Sequence, residues 1–213
     1  MTAGGAIGEI GAIGEGASTP PSVRGAGSDT LSRMRSSPPP PEPDLARHVV
    51  VTGLMGAGKT TVGRLLAERL GRPWRDSDVD IEAATGQTVR ALREREGVDA
   101  MHVREAAQLL DALAAPGPNV ISAAASVVED AACRTAMGAP GVAVVWLRAR
   151  PDLLGERFSS APHRPAYGDS PAVFLAEQAA RREPFLAGIG AHVVDVDDLT
   201  PGEVVARAME ALG

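Results

Sequence analysis

The sequence predicts an α/β domain in three layers, with helices on both faces of a central parallel sheet of about five strands. Three observations carry this. Short β-branched runs alternate with longer amphipathic stretches from Arg47 onward. Gly and Pro punctuate the changes of period. The composition, 44% hydrophobic but 3% aromatic over 213 residues, leaves Val, Leu, Ile and Ala to fill the core, as suits buried parallel strands.

His48-Val49-Val50-Val51-Thr52 reads as a buried strand. Lys59–Leu70 follows with apolar residues at Val62, Leu65, Leu66 and Leu70, a helical spacing that Gly71 ends. Trp74–Asp76 is a second short strand. Helical pieces are expected over Val79–Ala84, Val89–Arg95 and Val98–Ala114. Val120-Ile121-Ser122 reads as a central strand, and Gly141–Leu147 as the clearest strand after the first. Ser170-Pro171 opens a helix, with Ser at the N-cap and Pro in the first turn. Val193-Val194 marks a last strand. Thr200-Pro201-Gly202-Glu203 is a capping box before a C-terminal helix.

Residues 1–46 stand apart. They hold 8 Gly and 7 Pro, with the run Ser36-Ser37-Pro38-Pro39-Pro40-Pro41 near the end, and the Ile-Gly pairs of Gly4–Gly16 have no period that could bury a face. The segment reads as a disordered tail, and 47–213 as one domain. A formal net charge of −6 argues against general nucleic-acid binding. The one cysteine, Cys133, precludes an internal disulfide and suits a reducing compartment. No apolar run approaches the ~20 residues of a membrane helix, and no basic region followed by an apolar stretch marks a secretory signal. The expectation is a monomer in the cytoplasm that acts on a small molecule, with no nucleic-acid or membrane partner.

Gly53-Leu54-Met55-Gly56-Ala57-Gly58-Lys59-Thr60 matches the phosphate-binding pattern G-x-x-x-x-G-K-[ST], between a strand and a helix as the pattern requires. Its glycines let backbone N–H groups wrap a phosphate, and the helix N-terminus adds partial positive charge. Gly56, Ala57, Gly58, Lys59, Thr60 and Thr61 are therefore the candidates for binding a nucleoside triphosphate. Lys59 would reach the β- and γ-phosphates and the Thr60 hydroxyl a Mg²⁺ ion. Of the 21 Lys and Arg in the chain, Lys59 is the single lysine. The fold implied is of the P-loop NTPase type.

Asp76-Ser77-Asp78 follows the second strand. Two carboxylates one residue apart at a strand end can face one cleft, Asp76 toward a metal and Asp78 toward the attacking hydroxyl. An N-cap cluster is an equally good reading of the triplet. Asp80 and Glu82 read as solvent-facing. The segment from Phe158 to Asp169 is rich in Ser, Pro, Gly and Ala around Arg164. It reads as a lid over about 157–169 that brings Arg164 onto transition-state charge, or as an ordinary surface loop. Arg157 at its base could stack on adenine. Arg181 and Arg182 are a basic pair whose ordinary meaning is a solvated helix face.

Together these pieces resemble the shikimate kinase family, over about Arg47 to Leu212. The carrying residues are G-L-M-G-A-G-K-T-T at 53–61, D-S-D-V-D-I-E at 76–82, R-F-S-S-A-P-H-R-P at 157–165 and R-R-E-P-F at 181–185. The resemblance implies ATP-dependent phosphorylation of the 3-hydroxyl of shikimate, in aromatic amino-acid biosynthesis. By this likeness Asp78 binds shikimate hydroxyls, Asp76 is the Mg²⁺-linked carboxylate, and Arg164 is the lid arginine. Arg157 contacts adenine and Arg182 grips the substrate carboxylate. Lys59, Asp78 and Arg164 are the catalytic candidates.

The sequence departs from the family's pattern twice, both times in the acceptor half of the site. The family's Phe-Arg in the helix after a Gly-Glu pair falls on Met101-His102 here, counting from Gly97 without gaps. Two residues turn a helix by about 200°, so Arg104 lies on a polar stripe with Gln108 and Asp111, and His102 on the inward stripe. The family's Gly-Gly-Gly after the strand at 120–123 is Ala124-Ala125-Ser126 here, where each Cβ narrows the space and excludes left-handed angles. Ala125 and Ser126 remain candidate substrate contacts with Asp78, His102 and Arg182. These departures keep open a kinase of another polyhydroxylated acid or cyclitol, or a catalytically weak nucleotide-binding paralogue.

Overall fold

The computed structural model describes residues 47–159 and 170–213. The tail over 1–46 and most of the expected lid, Arg164 included, lie outside the described residues. Five strands form one sheet: β1 (His48–Gly53), β2 (Trp74–Asp76), β3 (Val120–Ser122), β4 (Val142–Arg148) and β5 (His192–Asp195). All pair in parallel, in the order β2-β3-β1-β4-β5. The helices are α1 (Lys59–Leu70), α2 (Ser77–Thr85), α3 (Val89–Glu96), α4 (Val98–Ala114), α5 (Ala131–Met137), α6 (Pro151–Ser159), α7 (Pro171–Gly188) and α8 (Pro201–Leu212).

Alternation along the strands divides the core into two layers. Val49, Val51, Ala143, Val145 and Leu147 face α1 and α8 through Leu66, Val204 and Ala208. Val50, Val144 and Trp146 point the other way, toward Leu109 of α4, Cys133 of α5 and Leu186 of α7. Ile81, Leu92 and Met101 form a small third core that joins α2, α3 and α4. The expected three-layer parallel architecture is therefore the observed one. Because β1 lies between β3 and β4, the chain leaves it at the switch point where α/β sheets open a crevice beyond their strand ends.

The strand expected at Gly141–Leu147 runs one residue later. The helix expected at Val79 begins at Ser77, because the Asp76 carboxylate accepts from the N–H groups of Asp78 and Val79 and so caps it. Ser170 stands at the N-cap of α7 as expected, but its hydroxyl makes no capping hydrogen bond. The fixed φ of Pro171 starts that helix instead. The Thr200–Glu203 capping box is formed in both directions. A 3₁₀ turn over Ala125–Glu129, α5 and α6 have no counterpart in the sequence reading.

Cys133 is buried in the second layer, and its N–H donates to the Asp130 carboxylate that caps α5. Burial, with the Asp130 charge behind it, pushes its thiol pKa up to about 12. The thiol stays protonated, and Cys133 acts as a small packed residue.

Candidate active site

The loop after β1 is built on glycines that other residues could not replace. Gly53 has φ 152°, and a Cβ there would lie 2.4 Å from the Leu147 carbonyl oxygen. Gly58, with φ 91°, turns the chain into the first turn of α1. The Leu54 carbonyl accepts from the Ala57 N–H at 3.1 Å and from Lys59 Nζ at 3.2 Å. The ammonium is thereby held over its own loop, beside the N–H groups at the start of α1 that have no earlier carbonyl to bond.

Asp76, 5% exposed, serves two elements at once. Oδ1 accepts from Asp78 and Val79 at the head of α2, and Oδ2 accepts from the Thr60 hydroxyl at 2.9 Å. The N-cap reading of the acidic triplet is thus the observed one, and the second oxygen of the same carboxylate lies beside Thr60. A hydroxyl oxygen beside a buried carboxylate is a hard-oxygen pair of the kind that suits Mg²⁺ when phosphate oxygens and water complete the shell. Behind it, Trp74 Nε1 donates to Ser122 Oγ at 3.0 Å, and Ser122 donates to the Lys59 carbonyl at 3.1 Å. Gly63 makes room for this pair: a Cβ there would sit 2.1 Å from Ser122 Oγ. The strand ends thereby set the first turn of α1.

Asp78 is solvent-exposed, yet protein atoms surround its carboxylate closely enough to desolvate it. That desolvation, followed by the neighbouring charge of Asp76, raises its pKa above the ordinary carboxylate value, while Lys59 opposes the rise. Glu105 of α4 also acts on Asp78 and accepts a short hydrogen bond from Ser126. Ala125 and Ser126 stand at the start of the 3₁₀ turn, with Ala124 at φ −59°. The Cβ-bearing segment thus follows right-handed geometry and turns its hydroxyl toward α4.

Arg182 is not the solvated residue its sequence pattern suggested. It is 9% exposed, and its Nε donates to Glu129 at 2.6 Å. Burial lowers its pKa, and the Glu129 carboxylate offsets that. Among the described residues Glu129 is its side-chain hydrogen-bond partner, so the fork is aimed by Nε. Arg181 joins the same Glu129 at 3.2 Å and also reaches Gln178. Arg157 is exposed and donates to the Asp197 carbonyl at 3.4 Å, in the connection between β5 and α8.

Three further expectations need correction. Arg104 is not simply solvated: Nε and a terminal nitrogen donate to Glu96 at 2.9 and 2.8 Å, which ties α4 to the end of α3. Gln108, assigned to a polar face, is buried and donates to Asp80 at 2.8 Å. Asp80, expected in solvent, lies between Gln108 and Arg75, whereas Glu82 is exposed as expected and accepts from the Val89 N–H. His102 is half-buried after the buried Met101, and among the described residues no hydrogen bond or ion pair engages it.

The structure brings Lys59, Thr60, Asp76, Asp78, Ser126 and Arg182 to the same end of the sheet. It adds Glu105, Glu129 and Arg93, which sequence reasoning missed. Glu105 had a signal, a carboxylate on the stripe shared by the buried Met101, Leu109 and Ala112. Glu129 had none, since its partner is 53 residues away. A separate pocket opens between the phosphate loop and α7, lined by Leu54, Ala125, Trp146, Ala179 and Arg182. It shares Gly53, Leu54, Ala125 and Arg182 with the site, and neither Asp76 nor Asp78 lines it.

The family model described as shikimate kinase matches residues 55–213. A shikimate kinase of Symbiobacterium thermophilum is 42% identical over 170 residues, covering 78% of this chain and 95% of that protein. One of Pseudomonas syringae pv. syringae is 35% identical over 167 residues, covering 78% and 96%. The solved shikimate kinase of Acinetobacter baumannii in complex with shikimate superposes with a TM-score of 0.69 at 27% identity, covering 80% of this chain and 93% of that one. With a family model over most of its length and relatives of this identity and coverage, the chain belongs to the shikimate kinase family.

Proposed function

We propose that the chain transfers the γ-phosphoryl group of ATP to the 3-hydroxyl of shikimate, giving shikimate 3-phosphate and ADP. The observation that carries this is the sharing of one cleft by Asp78 and Lys59, an acceptor-side carboxylate and the phosphate-loop ammonium. Asp78 orients the hydroxyl and accepts its proton as the oxygen forms its bond to phosphorus. The bond from phosphorus to the ADP oxygen breaks in line. The raised pKa makes Asp78 a better proton acceptor than an ordinary carboxylate.

The loop from Gly56 to Thr61 holds the triphosphate, with Lys59 on the β- and γ-phosphates. Thr60 and Asp76 would hold Mg²⁺, which when bound neutralises phosphate charge. Arg182, aimed by Glu129, is the partner for the acceptor carboxylate, and Ala125 and Ser126 border the ring. Arg157 is assigned to adenine and Arg164 to the transferring group on the resemblance alone. The 47–213 segment is proposed as the kinase domain, and 1–46 as a tail outside it. The chain is proposed to work as a monomer in the cytoplasm.

A second reading, transfer to another polyhydroxylated acid or cyclitol, is favoured by His102 and by the Ala124-Ala125-Ser126 turn. ADP release from ATP and Mg²⁺ over a panel of shikimate, quinate, sugar acids and cyclitols separates the two. Shikimate should give the highest kcat/KM. Turnover confined to another acceptor overturns the first reading, and ATP binding without transfer to any of them overturns both.

A further inference from the structure

Carboxylates cluster beside the proposed acceptor site, and the cations that face them are already shared: Lys59 acts on Asp78, and Arg181 and Arg182 both engage Glu129. Asp78, Glu105 and Glu129 all border the site, and Arg182 is already engaged by Glu129. A carboxylate entering such a space needs a second cation. His102 stands at the position where the family pattern has arginine, and an imidazole cannot present a guanidinium's planar fork.

Arg93 meets the need from another helix. It lies on α3 beside Leu92, whose side chain is buried against Ile81 and Met101 in the core that joins α2, α3 and α4. That packing fixes α3 against α4 and leaves Arg93 half-buried at the junction. One turn beyond Met101, Glu105 lies within electrostatic range of Arg93, of Asp78 at the head of α2 and of Arg182 on α7. The same carboxylate therefore sees the proposed proton acceptor, the proposed carboxylate ligand and Arg93. We propose that Arg93 is a specificity-determining residue that, together with Arg182, binds the carboxylate of the acceptor. The cation has moved from α4 to α3. Partial burial lowers the Arg93 pKa and Glu105 offsets it, as befits a guanidinium held at the edge of a cleft and not extended into water. This assignment rests on the proposed reaction and names how the same site selects an acid.

The test compares shikimate with its methyl ester, which keeps the ring and hydroxyls and loses the charge, for the wild type, Arg93→Met and Arg93→Lys. Removing a charge-assisted contact should raise the shikimate KM about 10- to 100-fold in Arg93→Met. The KM values for ATP and for the ester should stay within about threefold of the wild type, since neither contact involves this charge. Arg93→Lys should recover part of the loss, because charge survives without the fork. Thermal protection by Mg-ATP in each variant shows that the fold and the nucleotide half are intact. Equal losses for acid and ester would reveal a packing role and overturn the assignment, as would an unchanged KM in Arg93→Met. A wild type inactive on shikimate overturns the reaction and this assignment together, whereas an active wild type with an insensitive Arg93 overturns the assignment alone.

Discussion

The nucleotide half and the acceptor half of the cleft are held by different kinds of matter. Around the phosphate the chain uses backbone: Gly53 and Gly58 at φ values closed to other residues, and the first turn of α1, clamped through Ser122 to the end of β3. Around the acceptor it uses side chains: Asp78, Glu105, Ser126, Glu129 and Arg182, drawn from three helices and a turn. A phosphate cradle has one geometry to satisfy, and a substitution that adds a Cβ collides with a carbonyl. An acceptor pocket built of side chains can redistribute its charges, as proposed above for His102 on α4 and Arg93 on α3. The contrast fits the resemblance drawn from the sequence, in which the phosphate loop matches the family and the expected departures fall on the acceptor side.

The sharpest way to break the comparison is at Asp78, where the halves meet. Asp78→Asn should lower kcat by about 10²- to 10⁴-fold, the range for loss of a positioned general base. The same change should stabilise the protein. Its folded-state pKa is raised by desolvation and by Asp76, so the folded state binds the proton more tightly than the unfolded state does. Stability is therefore lost as pH rises from the ordinary aspartate value through the raised one, and the penalty persists above it. The Tm of Asp78→Asn minus that of the wild type should be near zero at about pH 4 and grow toward about pH 8. A flat difference would mean that Asp78 is not electrostatically strained, and kcat within tenfold would remove it from proton transfer.

Lys59→Met tests the other half. Loss of one preorganised cation from the transferring phosphate should reduce kcat by about 10²- to 10³-fold, and the rise in Tm on adding Mg-ATP should largely vanish. Wild-type protection by Mg-ATP in this variant would show that the backbone loop alone grips the triphosphate.

What could be read from the sequence follows the same division. Every strand, α1, α4, α8 and the phosphate loop were legible, because β-branched runs, helical spacing, glycines and a capping box are local signals. The acceptor half was less so. Asp80 looked solvated because nothing within its own helix reveals Gln108, 28 residues on, or the Arg75 guanidinium beside it. Arg182 looked like half of a surface pair because Glu129 is remote in sequence. The short α5 escaped notice because seven residues carry too few turns to show a period, and its start depends on one Asp130 cap.

A smaller effect probes the clamp between the halves. Gly63→Ala places a methyl group against Ser122 Oγ and 3.1 Å from Trp74 Nε1. The two hydrogen bonds behind α1 must shift, at a cost of about 1–3 kcal/mol in stability measured by urea unfolding. The Mg-ATP affinity should weaken in the same variant, since Ser122 bonds the carbonyl of Lys59 itself. Full stability and unaltered affinity would show that the seat of α1 is soft.

The smallest expected effect is the most informative about how the acceptor half varies. His102→Arg places on α4 the residue that the resemblance implies there. If Arg93 already supplies the cation, the added guanidinium enters a cleft whose charge is matched, and like-charge repulsion opposes part of its gain. The shikimate KM should then improve by about fivefold at most. In an Arg93→Met background the same change should recover most of the loss, because the cation is now missing. The two substitutions are expected to be non-additive, as for groups that share one partner. Additive effects would mean that positions 93 and 102 serve separate ends of the cleft. No effect in either background would mean that α4 presents residue 102 away from the acceptor, and the inward stripe that begins at Met101 would have to end before it.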